Sequence, residues 1–241
     1  MRINRFLALC GVASRRKSEQ LILEKRVKVN GRVVENLAID INPDKDVVLV
    51  DGKRVDLKQD YIYLMLHKPK GYVTTTSDEH NRPTVLDLIQ VPKDRRVYPI
   101  GRLDYNTEGL LLLTDDGDLT NILTHPSHKI EKTYIARIKG SITPEELNKL
   151  RSGVVIDGVK TAPAKVNILE GDEESTRLEI TIHEGRNRQV RKMLESVGKE
   201  TEFLKRVRIG EIRLGGLPRG KYRPLNKREI AYLQGLKEKF E

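Results

Sequence analysis

Apolar positions open the chain at helical spacing: Ile3, Phe6, Leu7 and Cys10 make one short stripe, and a second stretch carries Leu21 and Ile22 on its apolar side. Gly11 is placed to end the first helix and Ser14 to cap the second. The pattern then changes to strand. VKVNGRVV predicts a hairpin, because Asn30-Gly31 tolerates the positive φ of a type I′ turn, and VVLVDGKRV predicts another around Asp51-Gly52. From residue 61, YIYLMLHKPKGYVTTT predicts a strand, a Lys68-Pro69-Lys70-Gly71 turn and a second strand. Beyond it, strand patterns (LLLLT, KTYIARIKG, TRLEITIHEG) mix with helical ones (LTNILTH, TPEELNKLRSG, RNRQVRKMLESVG). An α+β fold on a largely antiparallel sheet with flanking helices follows. No low-complexity linker marks the change of pattern near residue 60, which divides the chain into 1–60 and 61–241.

Charge adds a partner to this picture. The chain of 241 residues carries a formal net charge of +10, which calls for a polyanion, either nucleic acid or an acidic membrane surface. The excess is local: residues 1–32 hold +7 and residues 186–228 hold +10, so the remainder is acidic. A merely soluble basic surface predicts interspersed signs instead. Aromatic residues make up only 5% and Trp is absent, so stacking on aromatic platforms cannot be the main binding mode. Within the first block, Arg15, Arg16 and Lys17 stand in the first helical turn after Ser14, where the helix dipole disfavours cations. Together with the unsatisfied N–H groups there, they suit RNA phosphate; the bland alternative is a solvated basic face.

Other chemistries find little support. Cys10 is the single cysteine, and no CxxC or HExxH spacing offers a metal cage. LGGLPRG lacks the Gly-Lys-Ser/Thr of a P-loop and reads as a turn. FLALCGVA is about eight residues long and runs straight into Ser14-Arg15-Arg16-Lys17, so it is not read as a secretory segment. No run approaches bilayer length. A cytoplasmic protein with no cofactor, no metal and no membrane partner is expected, with monomer as the default state.

Two stretches concentrate candidate chemistry. In PIGRLDYNTEGLLLLTDDGDL, Asp104 lies on a Gly/Asn/Thr-rich turn just before an apolar strand, where an Asx-turn role competes with a catalytic one; the adjacent Arg102 suits base and phosphate handling. Glu108, Asp115, Asp116 and Asp118 read as solvated turn or strand-end residues. In EGRNRQVRKMLESVG, Val190, Met193, Leu194 and Val197 form a helical stripe. Arg191 flanks it, able to meet a buried carboxylate, while Arg186, Arg188 and Lys192 point toward solvent or phosphate.

The order of these segments carries a resemblance. RINRFLALCGVASRRKSEQLI followed by RVKVNGRVV looks like the α-L RNA-binding domain of the ribosomal protein S-four type, which implies RNA contacts at Arg2, Arg5, Arg15, Arg16, Lys17 and Asn30. HKPKGYVTT, VYPIGRLDYNTEGLLLLTDDGDL, HPSHKIEKTY, EGRNRQVRKM and LKRVRIGEIRLGGLP resemble, in order, the motifs of the RsuA/RluB family of pseudouridine synthases over nearly the whole chain. Asp115 departs from that pattern, occupying a place where Asn is frequent. The likeness implies a small α-L domain before a pseudouridine synthase domain that isomerises uridine in ribosomal RNA without a cofactor. It implies Asp104 as the catalytic aspartate, Tyr134 as the aromatic that stacks on the target base, Arg191 as the ion-pair partner of Asp104, and Arg102 as a residue that helps displace the base. Lys132, Arg186, Arg188 and Lys192 are expected RNA contacts. The basic run LKRVRIGEIRLGGLPRGKYRPL looks more like the members acting on large-subunit RNA. The competing reading is a non-catalytic RNA-binding or ribosome-assembly protein; DNA binding is a third, disfavoured because no helix-turn-helix dimer pattern is evident.

Overall fold

The structure is a computed structural model that describes residues 1–57, 60–93 and 95–240. These fall into two compact units. One is Met1–Ile62 with Val91–Val97 and Thr114–Gly117; the other comprises Tyr63–Gln90, Tyr98–Leu113 and the chain from Asp118 onward.

In the first unit, α1 (Ile3–Leu9) and α2 (Arg15–Leu23) precede β1 (Val27–Val29), β2 (Arg32–Val33), β3 (Val48–Val50) and β4 (Lys53–Arg54). The strands pair in the order β2-β1-β3-β4. Both hairpins turn where expected: Asn30 and Gly31 have φ of 50° and 80°, and Asp51 and Gly52 have 51° and 78°. Ser14 caps α2, its hydroxyl accepting from Lys17 N at 3.2 Å. Ile3, Phe6, Leu7, Leu21 and Ile22 pack with Val27, Val34 and Val48 into one core. Of the stretch FLALCGVA, residues 6–9 end α1 and the rest turns toward α2. Among the described residues no helix is long and apolar enough to cross a membrane.

The second unit contains β5 (Tyr63–Lys68), β6 (Tyr98–Ile100), β7 (Glu108–Thr114), α3 (Gly117–Thr124), β8 (Lys132–Lys139), α4 (Pro144–Ser152), β9 (Val155–Ile156), β10 (Val159–Lys160), β11 (Lys165–Gly171), β12 (Ser175–Ile182), α5 (Gln189–Ser196), β13 (Thr201–Ile209), β14 (Ile212–Arg213), β15 (Tyr222–Pro224) and α6 (Lys227–Phe240). Among the described residues its main sheet runs β11-β12-β8-β13-β7-β5-β15, with β14 added to β13 and β6 to β7. The ladders β11–β12, β12–β8, β8–β13 and β5–β15 are antiparallel, whereas β13–β7 is parallel. The fold is therefore α+β on a mixed, mostly antiparallel sheet. Two cores lie on it. One joins Ala136, Ile138, Leu178 and Ile180 to Val190, Met193 and Leu194 of α5; the other joins Leu110 and Leu112 to Leu119, Leu123 and Leu233.

Two expectations fail. The strand expected after the Lys68-Pro69-Lys70-Gly71 turn does not form: Val73 makes only an isolated parallel bridge to Thr84, because its main chain bonds Pro83 and Val85 instead of β5. The acidic residues read as solvated are mostly buried. Asp115 receives the N–H of Ile62 and the guanidinium of Arg95, and Glu108 pairs with Arg219 at 3.2 Å. Asp116 is buried as well. A carboxylate inside a fold needs such partners, and they come from distant parts of the sequence where no local pattern reveals them.

Candidate active site

A cavity of about 220 Å³ opens in the second unit over the sheet face formed by β12, β8 and β13, with the turn before β7 and the start of α5 at its sides. It is smaller than the roughly 300–1,000 Å³ pockets that hold drug-sized ligands. Asp104, Tyr134, Arg102, Lys132, Arg186 and Arg188 line it.

Asp104 sits half-buried on a turn held almost entirely by its main-chain carbonyls. The Thr74 hydroxyl donates to Leu103 O at 2.7 Å. Asp104 O accepts from Thr107 N and from Lys68 Nζ, both at 3.0 Å. Gly71 N donates to Tyr105 O at 2.9 Å, Arg191 Nη2 to Asn106 O at 3.1 Å, and Lys68 Nζ again to Thr107 O at 2.9 Å. Every carbonyl from Leu103 to Thr107 therefore has a donor. A surface turn seldom needs this; a turn that must hold one side chain still does.

Lys68 is the centre of that arrangement. It ends β5 fully buried, and its third bond goes to Pro69 O. Burial is the main cause that pushes its ammonium down to about 8, with Asp104 and Glu108 opposing. The sequence pattern places Lys68 in a turn and assigns it no role. The available signal is a lysine closing the apolar run YLMLHK.

Arg191 also differs from expectation. It is buried on α5, but its guanidinium donates to Asn106 O and to Thr201 O at 3.2 Å rather than forming a direct ion pair with Asp104. Burial foremost and Arg188 lower its pKa, and the nearby Asp104 carboxylate opposes them. The arginine acts first on the main chain beside the aspartate, because the planar guanidinium reaches two carbonyls at once. Its Nε has no partner among the described residues.

Tyr134 stands on β8, half-buried, packed against the core of α5 and β12. In the ladders it faces Ile180 on β12 and Arg206 on β13. Lys132, two residues earlier, shares its side of the strand. Burial and then repulsion from Arg206 push Lys132 down to about 8. Arg102 is exposed at the rim.

The remaining expected RNA contacts divide. Arg186 donates to Val159 O at 3.0 Å and to Ile156 O at 2.5 Å, and Lys192 pairs with Asp157 at 2.6 Å, so the first ties the β9–β10 hairpin to the loop before α5 and the second ties it to α5 itself. Arg188 is exposed, 3.7 Å from Glu195, and holds a left-handed conformation at φ 52° as the residue before α5. In the first unit Arg5, Arg15, Arg16 and Lys17 are exposed. Arg2 donates to Ala38 O and lies 3.7 Å from Asp40. Asn30 is engaged internally: its amide donates to Asp46 and its oxygen accepts from Val47 N, bracing the following loop, a use that its turn position leaves invisible in the sequence.

Comparison with known proteins places the chain in a family. Residues 62–196 match the RNA pseudouridylate synthase family model and residues 1–47 match the S4 domain model. An uncharacterized RNA pseudouridine synthase of Aquifex aeolicus is 46% identical, covering 97% of this chain and 93% of its own. Ribosomal large subunit pseudouridine synthase B of Bacillus subtilis is 44% identical, covering 98% and 96%. A crystal structure of a pseudouridylate synthase superposes with a TM-score of 0.69 at 32% identity, covering 97% of this chain and 99% of that one. With a family model spanning the turn of Asp104, the strand of Tyr134 and the helix of Arg191, and relatives matching end to end, the chain belongs to the RNA pseudouridine synthases of the RsuA/RluB family, with an N-terminal S4 RNA-binding domain.

Proposed function

We propose that this enzyme converts a uridine of ribosomal RNA, and specifically of large-subunit RNA, to pseudouridine, with Asp104 as the catalytic group. The observation that carries the role of Asp104 is the turn itself: five consecutive carbonyls with donors hold that residue at the wall of a cavity of about 220 Å³. Tyr134 offers the ring a flat face, and Arg191 and Lys68 act as positioning residues through the main chain of the turn. The likeness to the Bacillus subtilis large-subunit enzyme supports the choice of RNA.

Isomerisation breaks the bond between the sugar and N1 of uracil, turns the base and rejoins it through carbon 5, so nothing enters or leaves overall. The target must leave its stack, which costs a few kcal/mol. In this reading Arg102 at the rim helps displace the base, and cations contacting the RNA backbone offset the rest: Arg2, Arg5, Arg15, Arg16 and Lys17 in a domain of residues 1–60, and Arg188 in a domain of residues 61–241, where Lys132 meets the RNA inside the cavity.

Tritium release from ribosomal RNA labelled at uracil carbon 5 tests this reading. The wild type should release tritium from large-subunit RNA and Asp104→Ala should not. Release from small-subunit RNA alone would reassign the substrate. Tight binding without release from either RNA would favour a binding or assembly protein.

A further inference from the structure

Arg206 is the buried cation that the turn and its aspartate leave unexplained. It lies on β13 directly opposite Tyr134 of β8, so the two side chains share one side of the sheet, and both line the cavity. Its Nε donates to Leu110 O at 2.8 Å, while its Nη2 is buried and has no partner among the described residues. The residue is 4% exposed. Among the described residues no carboxylate forms an ion pair with it. Its neighbours are instead two more cations, Lys132 and Lys68, each disfavoured in charged form partly by Arg206 itself. The hydroxyl of Thr107, another buried residue of the cavity wall, likewise has no partner among the described residues.

The sequence makes room for this arrangement. Gly109 pairs with Arg206 across the parallel β7–β13 ladder at φ 119°, and any Cβ there would collide with the main chain of Arg206. The strand is held against β7 with no side chain between them, which carries the guanidinium under the cavity.

A buried guanidinium with an unused N–H, grouped with two ammoniums, is costly for a fold by itself and is repaid only when an oxygen-rich or anionic group enters. Uracil fits that need. It presents two carbonyl oxygens, and when the N1–sugar bond breaks its electron pair leaves with the base, spreading negative charge onto those oxygens. We propose that Arg206 Nη2, backed by Lys132, takes a carbonyl oxygen of the target uracil and holds the base while it is detached from the sugar. This deepens the reading above and rests on it, since it needs the ring to lie against Tyr134.

The test is a cycle of one protein change and one atomic change in the RNA. The target uridine, once mapped in large-subunit RNA, is replaced by 2-thiouridine or 4-thiouridine, whose sulfur accepts hydrogen bonds poorly. Single-turnover conversion is measured for wild type and Arg206→Met, alongside RNA affinity and melting temperature. The wild type should slow by about ten-fold or more with one of the two thio substitutions, the loss expected for a charge-assisted bond. In Arg206→Met the uridine reaction should be slow already and that thio penalty should vanish, with RNA affinity within about three-fold of wild type. The substitution whose penalty vanishes identifies the oxygen. Thio penalties of unchanged size in the variant overturn the proposal, whatever the absolute rate, because a structural role for Arg206 predicts no interaction with the RNA change. Should Arg206→Met not fold, Arg206→Leu, which likewise removes the donor, run through the same cycle decides between the same two outcomes. Failure of the wild type on unsubstituted RNA would instead remove the underlying reading.

Discussion

The cations of the two units are used in opposite ways. In the first unit Arg5, Arg15, Arg16 and Lys17 stand exposed along two short helices. In the second, Lys68, Arg191 and Arg206 are buried and donate to main-chain carbonyls of the turn and of β7. An exposed cation is screened by salt and tolerant of position; a buried one is insensitive to salt and intolerant of displacement. The proposed function assigns binding strength to the first set and chemical precision to the second, so each should be removable with little effect on the other.

The largest separation should come from Asp104→Asn. The amide keeps the shape of the turn, whose bonds use the backbone, so RNA affinity should stay within about three-fold while conversion falls by roughly a thousand-fold or more, read in single-turnover assays. Equal loss of affinity and rate would make Asp104 structural.

Lys68→Met should rank next. It removes three bonds at once, taking the Lys68 donor from Pro69 O and Thr107 O and leaving Asp104 O with Thr107 N alone, and a buried acceptor left unmade costs about 1–3 kcal/mol. The expected outcome is a loss of about 3 kcal/mol in denaturant unfolding and roughly a hundred-fold in rate, the scale on which small misplacements act. A stable variant with full activity would show that the turn holds Asp104 without it.

Arg191→Ala should then cost roughly thirty-fold in rate by the same logic, and Arg188→Ala, an exposed residue, no more than about two-fold. Equal effects would mean that α5 serves only to bind phosphate. Neutralising Arg15, Arg16 and Lys17 together should leave the single-turnover rate at saturating enzyme unchanged. The slope of log affinity against log salt should shrink by about two, at roughly 0.7–0.9 for each phosphate no longer neutralised. An unchanged slope would remove the α2 start from the RNA interface.

What the sequence reveals follows the same division. Local signals are reliable: Ser14 caps α2, Asn30-Gly31 and Asp51-Gly52 turn their hairpins, and the stripe Val190, Met193, Leu194 packs α5 on the sheet. Exposed basic blocks are visible as charge. Bonds between distant segments are not. Lys68 reaches Asp104 O across 36 residues and Arg191 reaches Asn106 O across 85, and nothing in either neighbourhood marks the partner. The expected pairing of Arg191 with Asp104 fails for this reason, since motif order shows which residues gather but not which atoms meet. Asn30 and Arg186, expected on RNA, are engaged with Asp46 and the β9–β10 hairpin by bonds of the same long-range kind.

The smallest effect expected is on pH, and it sharpens the comparison within the second unit. Lys132 has its pKa lowered from 10.5 to about 8, first by burial and then by Arg206. Between those values the unfolded chain binds more protons than the folded one, so this group makes folding stability rise as pH increases through the window and has no such effect below it. Activity should move the other way: if the charge of Lys132 helps hold the base, the rate should fall about two-fold as pH reaches 8 and continue to fall above it. Lys68 has a pKa lowered to the same region, but as a neutral amine it would still keep two N–H donors for its three carbonyls. Lys132→Gln separates the two. Loss of the alkaline limb in that variant assigns it to Lys132, and an alkaline limb that persists unchanged transfers it to Lys68 and the turn it holds.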